Sequence, residues 1–198
     1  MQTTLYLARH GETQWNKRER FQGQLDSELT ELGKQQSQQL AQALSGCAID
    51  TIVCSPLGRA KATATICQRH LNVSFSINAQ LSERNLGHWQ GHYLHTLANQ
   101  PEYHEMLQQF TFLAPLNGES AVACGQRIYQ AIQKIAQSLP NKKVLIVFHG
   151  EALRCFLLQL GQQHSGNAYQ LFTNGSICQL HYLHASNEFH PALEKSSA

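Results

Sequence analysis

Long hydrophobic runs are missing from this chain of 198 residues. No apolar stretch approaches the roughly 20 residues that a bilayer-spanning helix needs, which excludes a membrane protein of that kind. The start, Met1-Gln2-Thr3-Thr4-Leu5, lacks a basic segment followed by an apolar one, so it does not read as a secretory signal. Charge is also scarce. Asp, Glu, Lys and Arg make up 14% of the chain, and the net charge is +2 with histidine neutral. The few Lys and Arg are scattered, which excludes a nucleic-acid footprint while leaving room for a local basic pocket. With 42% hydrophobic residues the chain is globular, not disordered. Its six cysteines contain no Cys-x-x-Cys pair and are read as reduced, mostly buried thiols of a cytoplasmic protein. No repeat is visible. The one biased tract, Gln-rich from Lys34 to Gln42, falls within a helical pattern and reads as a solvated helix face.

What is present is an alternation of strand and helix signals. Strands are expected at Thr3–Ala8, Thr51–Cys54, Ser74–Ile77, Lys143–Phe148 and Ile177–Leu183. Helices are expected at Leu29–Leu44, Leu57–Leu71, Gly118–Leu139 and Glu151–Leu160, with an extra one near Pro101–Phe112. This order predicts an α/β three-layer sandwich: a mostly parallel central sheet, helices on both faces, and a small helical cap insertion at about 86–118. Residues 1–185 form the single domain, and 186–198 read as a polar, loosely held C-terminal tail. Sites in such sheets gather at the C-terminal ends of the strands. Attention therefore falls on Arg9-His10-Gly11, on Ser55-Pro56-Leu57-Gly58-Arg59, and on His149-Gly150.

His10 has a permanent cation, Arg9, as its neighbour, while Gly11 lets the backbone come close to a ligand. Nearby cations lower an imidazole pKa and keep the ring neutral and nucleophilic. Such a ring nitrogen can attack phosphorus. His149 repeats the pattern after the apolar run Val144-Leu145-Ile146-Val147-Phe148. Arg59 falls in the first turn of a helix, where an anion is favoured and a guanidinium can grip two phosphate oxygens. A leaving oxygen needs a proton donor, and Glu83 in Leu81-Ser82-Glu83-Arg84 is the candidate. Glu12 is the competitor, better suited to orienting Arg9 and His10. His88, His92, His95 and His104 suggest a metal, but Gly87 and Gly91 oppose a regular helix and no cysteine or carboxylate completes a ligand set. Trp89, Tyr93 and Phe110 read as core or cap packing.

These blocks, taken in order, resemble the histidine phosphatase superfamily, also called phosphoglycerate mutase-like. The matching runs are Leu7-Ala8-Arg9-His10-Gly11-Glu12-Thr13 with Asn16; Phe21-Gln22-Gly23 leading to Leu29-Thr30-Glu31-Leu32-Gly33; Ser55-Pro56-Leu57-Gly58-Arg59-Ala60; Leu81-Ser82-Glu83-Arg84; Asn117-Gly118-Glu119-Ser120; His149-Gly150; and Asn174-Gly175-Ser176. The resemblance implies that His10 is the phosphorylated nucleophile and that Arg9, Arg59 and His149 surround the phosphoryl group. It makes Glu83 the proton donor and then the base that activates water. Asn16 and the backbone of Gln22 and Gly23 would line the phosphate or substrate side, with Gly150 adding a backbone amide. Neither a metal nor another cofactor is implied, the partner is a small phosphorylated metabolite, and a homodimer is admitted on family grounds alone.

Two positions depart from the family pattern. Gln90 stands where a Glu is frequent, and Glu151 where a second Gly is frequent. Glu151 puts an extra negative charge beside the phosphate pocket, and is expected to point outward from the first helical turn. Asn174 reads as local support. The segment between Glu83 and His149 is short for a mutase, so the reading favours a phosphomonoesterase. A cofactor-dependent phosphoglycerate mutase and a non-catalytic phospho-ligand binding module are the alternatives.

Overall fold

The computed structural model describes residues 1–162 and 168–191, with the backbone alone at 169 and 170. Six strands form one sheet: β1 (Gln2–Arg9), β2 (Thr51–Cys54), β3 (Phe75–Ile77), β4 (Lys143–Phe148), β5 (Ile177–Leu183) and β6 (Glu188–Pro191), in the order β3-β2-β4-β1-β5-β6. The pairs β3–β2, β2–β4 and β4–β1 are parallel. The pairs β1–β5 and β5–β6 are antiparallel.

Side chains alternate across a strand, and each face here meets its own helical layer. Leu5, Leu7, Val144, Ile146 and Phe148 pack with Ile128 and Ile132 of α6 (Ala121–Ser138) and Phe156 of α7 (Gly150–Gln159). Tyr6, Ala8, Leu145 and Val147 pack with Leu40 and Ala41 of α2 (Glu31–Ala43) and Ala60, Ala64 and Cys67 of α3 (Gly58–Leu71). Burial on both faces explains why β4 is apolar without interruption. Truncating a fully buried residue such as Ile146 to alanine should cost about 2–5 kcal/mol.

Capping residues set the helix starts. Thr30 accepts from Gly33 N (3.0 Å), so α2 begins at Glu31, not Leu29. Ser120 accepts from Ala123 N (3.0 Å) and delays α6 to Ala121. Two single-turn helices, α1 (Gln14–Lys17) and α8 (Ala168–Leu171), are too short to leave a periodic signal.

Between Leu86 and Gly118 lie α4 (Leu94–Leu97) and α5 (Tyr103–Gln108). Leu86, Trp89, Leu97, Met106 and Leu107 bury themselves with Phe21 in a separate cluster. The helix expected over Pro101–Phe112 shrinks to α5: Glu102 before it holds φ 66°, and Gln109 after it is extended. The C-terminal expectation also needs correction. Residues 188–191 are not loose tail but β6, joined to β5 by a tight turn with Asn187 at φ 59°. Phe189 is the reason, since it packs against Tyr129, Phe156 and Tyr182. The expected tail from 192 onward lies outside the described residues. All six cysteines are unpaired, and among the described residues no helix is long and apolar enough to cross a membrane.

Candidate active site

β1 and β4 run parallel and adjacent, with Arg9 opposite Phe148. Their C-terminal ends therefore deliver His10 and His149 side by side, ring centroids 5.3 Å apart. His10 Nδ1 lies 2.7 Å from the Gly11 carbonyl oxygen. A carbonyl only accepts, so Nδ1 carries the proton and Nε2 keeps its lone pair. Arg59 Nε donates to that Nε2 at 3.1 Å, which fits the same tautomer. Burial first, then Arg59 and Arg9, holds the His10 imidazole well below its usual range.

His149 is neutral for related reasons: burial, then Arg59, His10 and Arg9. Its Nε2 lies 2.7 Å from Ser55 Oγ, which itself accepts from Leu57 N (3.3 Å). A hydroxyl both donates and accepts, so Ser55 serves either tautomer of the His149 ring. The ring's Nδ1 is buried and bonds to no described residue. A buried polar atom without a partner is costly, and a polar ligand group would satisfy it.

Glu83 enters between these elements and α7. Its Oε1 accepts from Arg84 N and Ala152 N (both 2.8 Å), and its Oε2 from Glu151 N (3.2 Å). The carboxyl thus caps α7, whose own N-cap residue, His149, makes no side-chain cap bond. Burial raises the Glu83 pKa above the usual carboxylate value; Arg59 and the Arg84 amide oppose that rise, and Glu151 adds to it. A carboxyl with a raised pKa, beside a ring with a lowered one, is the pairing that separates an acid from a nucleophile.

His10, Asn16, Gln22, Gly23, Arg59 and Glu83 line one small cavity of about 20 Å³. Asn16 is oriented by its Oδ1, which accepts from Thr13 N (3.1 Å) and Asn174 Nδ2 (3.3 Å). Gln22 Oε1 is buried and bonds to no described residue. The Gly23 carbonyl accepts from Arg59 Nη2 (2.7 Å). Arg9 donates to the Phe172 carbonyl and packs on Gly150, where a Cβ would come within 3.1 Å of Arg9 Nε. A side chain at position 150 would press on the Arg9 guanidinium. A larger cavity, about 760 Å³, lies between Asp26–Leu29 and α3, but shares only Arg59 with these residues.

Several expectations change. Gly11 approaches chain, not ligand: a Cβ there would strike the Gly33 carbonyl oxygen. The Glu12 carboxylate accepts from Thr30 Oγ1 (2.7 Å) and so braces the start of α2. The α3 N-terminus is already capped by Asp26, which accepts from Gly58 N and Arg59 N and pairs with Arg59 Nη1 at 3.2 Å. Glu151 does not point outward. It is buried between Arg84 (Nη1, 3.0 Å) and Arg154 (Nη2, 2.7 Å). Burial opposes its ionisation, but Arg154 and Arg84 outweigh that and hold its carboxyl below the usual range. Gln90 Oε1 accepts from Gln24 N (2.7 Å), supporting the Gly23 turn. Of the cap histidines, His88 lies against the Leu116 carbonyl and His95 stacks on Tyr93. Sequence reasoning missed Asp26, Ser55, Arg84 and Arg154 as site residues. Only Ser55, at a strand end beside Pro56, carried a positional signal.

The sequence profile of the histidine phosphatase superfamily (branch 1) matches residues 5–191. The chain belongs to that family. It is 36% identical over 155 residues to a "Probable phosphoglycerate mutase GpmB" of Cronobacter sakazakii, covering 77% of this chain and 72% of that one. Among solved structures it is similar to Bacillus stearothermophilus YhfR: TM-score 0.86, 31% identity, 97% and 96% of the two chains covered. It is also similar to a mycobacterial glucosyl-3-phosphoglycerate phosphatase solved with VO3: TM-score 0.79, 30% identity, 89% and 90% covered. A phosphoserine phosphatase of Entamoeba histolytica, solved with 3-phosphoglyceric acid, has TM-score 0.79 and 26% identity, with 96% and 95% covered.

Proposed function

We propose that the protein is a phosphomonoesterase that works through a phosphohistidine on His10. The carrying observation is the buried neutral imidazole, its Nδ1 fixed on Gly11 O and its Nε2 lone pair held by Arg59 Nε, lining the cavity that Glu83 also lines. In the first step Nε2 attacks phosphorus and the ester P–O bond breaks. Glu83 gives its proton to the departing oxygen, so an alcohol leaves and Glu83 becomes a carboxylate. In the second step that carboxylate takes a proton from water as its oxygen attacks phosphorus. The P–N bond breaks, and His10 and protonated Glu83 are restored. Arg59 must shift from Nε2 as the N–P bond forms. Arg9, Arg59 and His149 then face the equatorial oxygens, where charge accumulates in the transition state.

A mutase must shield its phosphoenzyme from water until the phosphate is returned. Here one small cluster of six buried residues covers the site, which favours hydrolysis. Phosphate release from a panel of monoesters, set against interconversion of phosphoglycerates, tests the reading. Interconversion without net phosphate release would overturn it.

A further inference from the structure

The buried trio of Glu151, Arg84 and Arg154 takes no part in the steps above. Arg154 grips both Glu151 oxygens, Nη2 to Oε1 at 2.7 Å and Nε to Oε2 at 3.0 Å. Arg84 Nη1 adds a third bond to Oε1 at 3.0 Å. Both arginine side chains are 0% exposed, and neither lines the cavity, whereas Glu151 does. The trio adjoins the proton donor directly: the amides of Arg84 and Glu151 both bind the Glu83 carboxyl. It therefore lies on the side where the leaving group departs.

Among the described residues, the rest of that side is uncharged. Phe21, Leu86, Leu107 and Ala168 supply apolar walls, and Gln22 an amide. Among the described residues that line the cavity, Arg59 is the one Lys or Arg, and it belongs to the phosphoryl end. A second anionic group on the substrate would thus meet a carboxylate, with the two cations that could have received it held behind that carboxylate.

We propose that Glu151 is a built-in carboxylate that occupies the Arg84–Arg154 pair and selects phosphomonoesters of uncharged alcohols over phosphorylated carboxylic acids. The proposal rests on the phosphomonoesterase reading for the orientation of the substrate. With both guanidiniums engaged by Glu151, a substrate carboxylate would be left without a partner, and an unpaired charge is a direct route to specificity. The free lone pairs of Glu151 and Gln22 Oε1 also favour a leaving group that brings hydroxyl donors.

Glycerol 2-phosphate and 2-phosphoglycerate differ only in one CH2OH against one carboxylate. Calorimetric titration of the full chain carrying His10→Ala, which prevents turnover, compares their binding at this site. The alcohol member should bind tighter by roughly tenfold or more. Adding Glu151→Gln, which frees guanidinium charge for the ligand, should narrow that ratio by a similar factor or reverse it. Equal or tighter binding of 2-phosphoglycerate without the Glu151 change would overturn the proposal, as would failure of both ligands to bind. A preference that Glu151→Gln leaves intact would remove Glu151 as its cause. Should Glu151→Gln fail to fold, by circular dichroism, the first ratio still decides the substrate class. Phosphate release by the unaltered protein from p-nitrophenyl phosphate and glycerol 2-phosphate is a separate readout. Its absence would sink the phosphatase reading, whichever way the binding ratio falls.

Discussion

Replacing Asp26 by alanine removes one residue from two tasks. Its carboxylate accepts from Gly58 N and Arg59 N at the start of α3, and pairs with Arg59 Nη1 at 3.2 Å. Loss of a helix cap costs about 1 kcal/mol. The ion pair adds little, about 0–1 kcal/mol, because the Asp26 side chain is 38% exposed. A total of about 1–2 kcal/mol corresponds to a Tm decrease of about 2–8 °C for a chain of this size. Activity should fall as well. Arg59 keeps its bonds to Leu25 O (2.8 Å) and Gly23 O (2.7 Å), so the guanidinium is loosened but not released. A drop of roughly tenfold in kcat/KM, near 1.4 kcal/mol, is expected. Asp26→Asn keeps an acceptor for the cap and loses the charge, so it should regain most of the Tm and less of the rate. Thermal unfolding and initial rates on p-nitrophenyl phosphate measure both. If Asp26→Ala leaves Tm within about 1 °C of the parent and kcat/KM unchanged, the assigned support of Arg59 is wrong.

Glu83→Gln should lower kcat/KM, which reports formation of the phosphoenzyme, by about 10²–10⁴-fold on esters with poor leaving groups, and much less on p-nitrophenyl phosphate, whose leaving group needs no proton. The alkaline limb of the rate profile, where Glu83 loses the proton it must donate, should vanish in that variant. Stability should depend on pH through the two histidines. Both have folded pKa values well below the ordinary imidazole value, so the unfolded chain takes up protons first as pH falls. Their contribution is complete above pH about 6.5 and declines by about 2 kcal/mol for the pair between pH 6.5 and 5.5. Urea unfolding in phosphate-free buffer measures this; a His10→Asn/His149→Asn variant should flatten the curve, and an equally steep curve in that variant would contradict the assignment.

The inner strands β2 and β4 were legible because burial on both faces leaves short, nearly unbroken apolar runs, as in Val144–Phe148. The ends of the long helices were less so. Thr30 and Ser120 each look like ordinary polar residues until their hydroxyls are seen to bind Gly33 N and Ala123 N. β6 was missed because its one anchor, Phe189, sits in a polar stretch and packs on Tyr129 and Phe156, far away in sequence, as well as on Tyr182. At the site, the strand-end rule brought His10 and His149 to notice, and their adjacency follows from the β1–β4 register. The supports could not be read that way. Asp26 reaches Arg59 across 33 residues, and Arg84 reaches Glu151 across 67. Nothing local distinguishes such an Asp or Arg from a solvated one. Glu151 shows the cost most plainly. Its place in a first helical turn suggested an outward carboxylate, but the Arg154 guanidinium three residues on and the distant Arg84 draw it inside.

The central claim is that phosphate passes through His10 Nε2. Rapid mixing with a phosphomonoester, quenching under alkaline denaturing conditions that preserve an N–P bond, and peptide mass spectrometry test it directly. A phosphoryl group on the peptide containing His10, lost on mild acid treatment and absent in His10→Ala, is the predicted result. Undiminished phosphate release by His10→Ala, or trapped phosphate on another residue, would contradict the account.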